Sequence, residues 1–206
     1  MNPSFPKNLN IFMKHSTNLV IISGPSGGGE DSVIQGLIGR GFPIERIITT
    51  VDRPMRPGES HGHPYYFKSR EEIDRMIAND EFAEWAEVYG SKRGATRQEL
   101  GRVMALKGKI GIWKMDWKGS QTAKKKYPDA LSIFITAENI DKLIERLKKR
   151  GDAPEFIQSR IEYTKQYYEN KGIYDYEVIN EEGKLEQTID KVIVVLKKEG
   201  FLDNNA

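Results

Sequence analysis

The sequence predicts an α/β fold built on a parallel sheet that is covered on both faces. Three observations carry this. Short apolar runs rich in β-branched residues alternate with stretches of helical apolar spacing along most of the chain. A glycine-rich turn, "GPSGGG" at 24–29, stands between the first such run and the first helical stretch. The 206 residues suffice for one domain with a sizeable core, and no internal repeat or low-complexity tract points elsewhere.

Each element follows from its own pattern. "NLVIIS" (18–23) reads as a buried strand and "DSVIQGLIGRG" (31–41) as the helix after it, stopped by Gly41. "RIITTV" (46–51) reads as a second strand. From 52 to 96 the rhythm changes: "RPMRPGESHGHPYYF" is dense in Pro and Gly, "SREEIDRMIAND" reads as a polar helix, and "EFAEWAEVYGSKRGAT" as short strands. That pattern predicts an inserted lobe. The strand–helix rhythm resumes with a helix at 96–106, a strand at 109–115 and a helix from Lys118. A strand at 131–136 precedes a helix with Ile140, Leu143, Ile144 and Leu147 along one face. A charged helix at 154–170, a strand at 176–180 and a last helix at 184–198 complete the order. Residues 1–17 read as a polar tail, in which Met13 is a candidate second start.

Composition narrows the function. With 32 basic against 30 acidic residues the net charge is +2, so bulk electrostatics give no case for nucleic acid. The chain has no cysteine, which removes disulfides and thiolate metal sites and fits a reducing cytoplasm. No apolar stretch approaches the roughly 20 residues of a membrane span. The N-terminal stretch lacks the basic-then-apolar layout of a secretory signal. Three histidines, His15, His61 and His63, are too scattered to define a metal site.

The loop at 24–31, "GPSGGGED", departs from the phosphate-binding spelling G-x-x-x-x-G-K-[ST]. Gly24 and Gly29 stand in place, and Pro25, Ser26, Gly27 and Gly28 complete the turn. The lysine position is Glu30 and the hydroxyl position Asp31, with Ser32 next. Backbone N–H groups and a helix N-terminus suit an anion there, while two carboxylates oppose one. From the loop alone, a phosphate site and a plain strand-to-helix turn remain equally open.

The lobe settles the comparison. "RPMRPGESHGHPYYF", "EFAEWAEVYGSKRGAT" and "IWKMDWKG", in this order and spacing, resemble the guanylate kinase family, and the resemblance runs from Asn18 to Lys198. It implies a three-layer P-loop kinase fold with a parallel central sheet, an inserted mixed-β GMP-binding lobe at 52–96 and a helical lid at 141–170. The core would then comprise 18–51, 97–140 and 171–200. It implies transfer of the γ-phosphate of ATP to GMP with Mg²⁺, with GMP and ATP as small-molecule partners, by a monomer or homo-oligomer. By the same resemblance Thr49, Arg53, Arg56 and Tyr65 take the GMP phosphate, and Arg93, Gly94 and Thr96 lie in the N-Y-Y-G-T-S position. Glu84 and Asp116 read guanine, since carboxylates accept from its N1–H and N2–H. Arg146, Arg150 and Arg160 are the lid arginines, and Asn180 lies on the adenine side with the loop residues. The residues alone also permit plainer roles: a solvated turn at 53–59, a helix cap at Asp116 and a charged helix face at the lid.

Departures from the family pattern fall in one cleft. The first aspartate of L-D-I-D-x-Q-G is Lys114 and its glutamine Lys118, while Arg93 and Ala95 replace a tyrosine and a hydroxyl. The loop has lost a lysine and gained acid; the facing strand has lost an acid and gained lysine. The expectation is that Lys114 replaces the missing loop lysine, pairing with Glu30 when empty, and that Asp31 takes the metal. Two alternatives stand beside it. One is an inactive module that binds GMP or a phosphopeptide; the other is a kinase for another phosphorylated acceptor such as a ribose phosphate.

Overall fold

The computed structural model describes residues 15–56 and 58–203; Met13 and most of the predicted tail lie outside the described residues. In chain order the strands are β1 (Leu19–Ser23), β2 (Ile44–Arg46), β3 (Thr49–Val51), β4 (Ser60–His61), β5 (Pro64–Phe67), β6 (Phe82–Val88), β7 (Ser91–Thr96), β8 (Ile110–Lys114), β9 (Leu131–Thr136) and β10 (Tyr176–Ile179). The helices are α1 (Glu30–Gly39), α2 (Arg70–Ala78), α3 (Arg97–Met104), α4 (Trp117–Lys126), α5 (Ile140–Lys149), α6 (Pro154–Glu169) and α7 (Leu185–Lys198).

Two sheets organise them. The first has the order β10-β9-β1-β8-β2, and every neighbouring pair in it is parallel. Alternate residues of β1 serve opposite faces, as a pleated strand requires. Val20 and Ile22 pack with Val33, Ile34 and Leu37 of α1 and Ile189, Val192 and Leu196 of α7. Leu19 and Ile21 pack with Leu100 and Val103 of α3, Ala123 of α4 and Trp113 of β8. Helices therefore cover both faces, which is the three-layer α/β architecture. Trp113 is fully buried and meets Tyr127 edge-on at 5.7 Å. Trp113→Ala is expected to cost about 3–5 kcal/mol of folding stability, read as a shifted denaturant midpoint.

The second sheet has the order β4-β5-β3-β7-β6 and is mixed. β3 runs parallel to β5 and antiparallel to β7, while β6 and β7 form an antiparallel pair. α2 enters this lobe through a capping box, in which the Ser69 hydroxyl and the Glu72 carboxylate satisfy each other's backbone N–H groups.

The run at 46–51 departs from its expected single strand. β2 ends at Arg46 in the first sheet and β3 begins at Thr49 in the second. Between them, the Ile47 N–H still donates to Ile112 O at 2.9 Å, but the Ile48 N–H goes to the Glu99 carboxylate at 2.9 Å. That side chain takes the backbone off the core sheet and sends it into the lobe. Among the described residues no helix is long and apolar enough to cross a membrane.

Candidate active site

The glycine loop connects β1 to α1 at the carboxyl ends of the parallel strands, where open α/β sheets bind ligands. Its shape needs glycine. A Cβ on Gly24 would collide with the Ile135 carbonyl, and Gly29 holds φ at 99° as the α1 N-cap, in the left-handed region. Gly29 offers no side-chain cap, so the first N–H groups of α1 are left for another acceptor. Asn180, at the end of β10, braces the loop from behind. Its Nδ2 donates to Gly28 O at 2.9 Å and its Oδ1 accepts from the Thr188 hydroxyl at 3.0 Å.

The two acids after the loop point different ways. Glu30 folds back beneath the glycines, and burial pushes its carboxyl up to about 7 against the pull of Lys114. Asp31 points across the cleft and is held by Arg46 at 2.9 Å and by Lys114. Burial would raise its pKa, but the two cations outweigh burial and hold it low. Lys114 itself is depressed by burial, yet Asp31 and Glu30 keep it above an ordinary lysine. The expected Glu30–Lys114 contact is thus replaced by Asp31–Lys114. Successive residues of a helix project about 100° apart, so only one of the two acids reaches the end of β8. Arg46, which no local pattern singled out, supplies the second cation.

On the opposite wall Thr49 and Tyr65 are register partners on β3 and β5. Arg53 forks onto Glu59 through two bonds of 2.7 Å, with its guanidinium 5.1 Å above the Tyr65 ring. The Arg56 side chain is exposed, and its backbone N–H donates to Glu59 at 2.8 Å. Arg93 enters from β7 with its Nε buried and without a partner. Gly94 lies flat against β6, where a Cβ would overlap the Glu84 carbonyl, and Thr96 caps α3 by accepting from the Glu99 N–H at 3.1 Å.

Glu84 and Asp116 are buried neighbours. Burial, and then the like charge of Asp116, push Glu84 up to about 8. Asp116 accepts from the Lys118 and Gly119 N–H groups at 2.8 and 3.0 Å, so it is both the α4 cap and a carboxylate at this slot. The Glu84 carboxylate packs on the first turn of α4, leaving no room for a Cβ at Gly119.

The lid arginines take three different places. Arg146 on α5 donates to Gly27 O at 3.0 Å and Asn180 O at 2.6 Å, and pairs with Glu182. Arg150 pairs with Asp152. Arg160 on α6 lies 3.3 Å from the Tyr89 ring and 4.1 Å from Phe156. Burial, with repulsion from Arg93, Arg56 and Arg150, brings Arg160 down to about 10 despite Tyr89. Lys118 turns to the Trp117 and Tyr163 rings.

One cleft of about 790 Å³ unites most of these groups. Gly24, Ser26, Gly27, Glu30, Asp31 and Lys114 line one side; Thr49, Arg53, Arg56, Tyr65 and Arg93 line the other, with Asp116, Arg150 and Arg160 closing it. A second cavity of about 390 Å³ continues behind the loop, where Gly29, Ser32, Arg146 and Asn180 meet. Pro25, Gly28, Glu84, Gly94 and Thr96 line neither cavity. Tyr89, Phe156 and Tyr163 line the cleft too; no local pattern marks them, because they meet only where α6 packs over the lobe.

The donor set fits a hard divalent cation brought in with a polyphosphate. No cluster of three acidic or histidine ligands exists among the described residues, and Mg²⁺ in such sites takes one or two carboxylates plus phosphate oxygens. Asp31, which faces the cleft and is paired with Arg46 and Lys114, is the carboxylate that would hold it.

Comparison with known proteins agrees with this geometry. Residues 16–199 match the family model described as guanylate kinase. The chain is 37% identical over 186 residues to a guanylate kinase of Carboxydothermus hydrogenoformans, with 90% of each chain covered. It is 32% identical over 185 residues to a guanylate kinase of Dechloromonas aromatica, covering 89% of this chain and 90% of that one. Among solved structures, a guanylate kinase from Anaplasma phagocytophilum aligns with a TM-score of 0.73 at 25% identity, covering 93% of this chain and 90% of that one. A mixed lobe facing a glycine loop across one cleft, and a family match spanning nearly the whole length, lead to one conclusion: the chain belongs to the guanylate kinase family.

Proposed function

We propose that the protein transfers the γ-phosphoryl group of ATP to GMP, giving ADP and GDP, with Lys114 in place of the absent loop lysine. The observation that carries this is the single cleft in which the glycine loop and the arginine wall face each other across Lys114. A GMP phosphate oxygen attacks the γ-phosphorus, the bond to the bridging oxygen breaks, and ADP leaves with that electron pair.

The residues divide the work. Arg53, Arg56, Arg93, Tyr65 and Thr49 hold the acceptor phosphate, and Glu84 and Asp116 read the base, with Gly94 and Thr96 shaping the strand beside them. Gly24 to Gly29 cradle the donor phosphates through backbone N–H groups. Lys114, Arg150 and Arg160 stabilise charge on the transferring group, and Arg146 and Asn180 fix the loop. Mg²⁺, when bound with ATP, would neutralise charge on the phosphates; Asp31 would hold it, with Ser32 the next oxygen along. The division into core, lobe (52–96) and lid (141–170) belongs to this reading, as does a cytoplasmic setting for a monomer or homo-oligomer.

The test is ADP formation in a coupled assay with GMP, ATP and Mg²⁺, beside AMP, CMP, ribose 5-phosphate and no acceptor. Turnover that depends on GMP is the expected result. GMP binding without turnover would favour the inactive binder, a reading that the acid-bearing loop itself motivates. Turnover with ribose phosphate and not GMP would favour the other acceptor, against which the buried Glu84–Asp116 slot stands.

A further inference from the structure

The cradle of the glycine loop holds a carboxyl group of its own. The Glu30 carboxyl carbon lies 3.2 Å from where a Cβ on Gly24 would stand, and its Oε2 lies 3.2 Å from the same position on Gly28. The backbone N–H groups of Glu30 and Gly29 favour its charged form, although burial outweighs them. These amides belong to the uncapped start of α1, whose N-cap glycine brings no side-chain acceptor. Consecutive N–H groups converging at a helix N-terminus form the nest in which a phosphate oxygen is ordinarily held. Here the nest is occupied, and by the residue that stands at the lysine position of the motif. A lysine there would add positive charge to the cradle; a glutamate delivers the ligand's own charge to the ligand's own place.

We propose that Glu30 is a tethered competitor of the donor's phosphate chain: its carboxylate fills the anion cradle of the loop, and a polyphosphate enters only by displacing it. The inference rests on the reading of this loop as the donor site. Because the competitor is attached through three single bonds to α1, it acts at an effective concentration on the order of millimolar. Donor affinity is therefore set by Glu30, while the acceptor wall, on the far side of the cleft, binds independently of it. Lys114, already drawn to Glu30 by charge, is the cation toward which the displaced carboxylate turns.

The test compares the parent with Glu30→Gln, which keeps size and shape and removes the charge, and with Glu30→Ala, which empties the cradle. Calorimetry is run with a non-hydrolysable β,γ-imido ATP plus Mg²⁺, with inorganic tripolyphosphate, and with GMP. Both variants are expected to bind the ATP analogue and tripolyphosphate about tenfold more tightly than the parent, as removal of a tethered competitor requires. GMP affinity is expected to stay within about twofold and serves as the folding control. Three results would overturn the inference. One is Glu30→Gln binding the analogue no more tightly than the parent. Another is a gain with the nucleotide but not with tripolyphosphate, and the last is no tripolyphosphate binding by any of the three proteins. Turnover does not enter the comparison, so a failed phosphotransfer assay and a failed cradle inference are told apart.

Discussion

Lys114→Ala is expected to lower kcat for GMP-dependent ADP formation by about 10²- to 10³-fold, the usual cost of removing one preorganised group from developing charge. Lys114 ends β8, beside β1 in register with Ile22, so it stands at the mouth of the sheet next to the glycine loop. Its ammonium pairs with Asp31, and the charges of Asp31 and Glu30 keep its pKa above that of an ordinary lysine despite burial. Among the cations on the loop side of the cleft it is one of two in contact with Asp31, and Arg46 is the other. Loss of the lysine also leaves the charges of Glu30 and Asp31 with less compensation, so some stability is expected to be lost with the activity. Two controls separate these effects. GMP affinity by calorimetry is expected to be unchanged, since the acceptor wall is built from β3, β5 and β7. Lys114→Arg is expected to keep part of the rate. The stronger check is a charge exchange: Glu30→Lys combined with Lys114→Asp restores the family arrangement and is expected to recover activity that Lys114→Asp alone loses. A Lys114→Ala enzyme with the parent's kcat would end the proposal that this residue replaces the loop lysine.

The second large effect is expected at Glu84. Its carboxyl is pushed up to about 8, first by burial and then by Asp116, so the empty slot holds a proton at neutral pH. Guanine presents N1–H and N2–H, and only the carboxylate accepts from both. Binding therefore expels that proton, and GMP affinity is expected to fall about tenfold for each pH unit below about 8, levelling off above it. The second ionisation of a phosphate near pH 6 acts in the same direction on the arginine wall. Glu84→Gln isolates the two. Its amide cannot accept from both base N–H groups, so GMP is expected to bind about 10²-fold more weakly at pH 9. Only the phosphate step is expected to remain in its pH profile. Calorimetry of both proteins between pH 6 and 9 reads the difference. A parent affinity that is flat from pH 7 to 9 would remove Glu84 as the titrating reader.

Much of this was legible in the sequence because it is local. The alternation of "NLVIIS", "KIGIWKM" and "LSIFIT" with helical spacing specifies a parallel sheet covered on both faces, and the lobe announces itself through "RPMRPGE" and "EFAEWAE". What stayed hidden depends on groups far apart in the chain. "RIITTV" is an unbroken β-branched run, and nothing within it says that Glu99 takes the Ile48 N–H and splits it between two sheets. Two adjacent acids at 30 and 31 read alike, yet helix rotation sends one into the loop and the other to Lys114. Asn180 reads as a turn residue on the adenine side, whereas both ends of its amide are spent on Gly28 and Thr188. Arg46 gave no signal, being one basic residue among 32.

The places taken by Arg146 and Arg160 have a mechanical consequence. Arg146 rivets α5 to the carbonyls of Gly27 and Asn180, so that helix and the donor loop travel as one piece. Arg160 clasps α6 to Tyr89 at the tip of the β6–β7 hairpin, on the other shore of the cleft. Two helices that look like one flap are thus moored to opposite banks. The short crossing between them turns at Gly151, whose φ of 86° lies in the left-handed region that favours glycine.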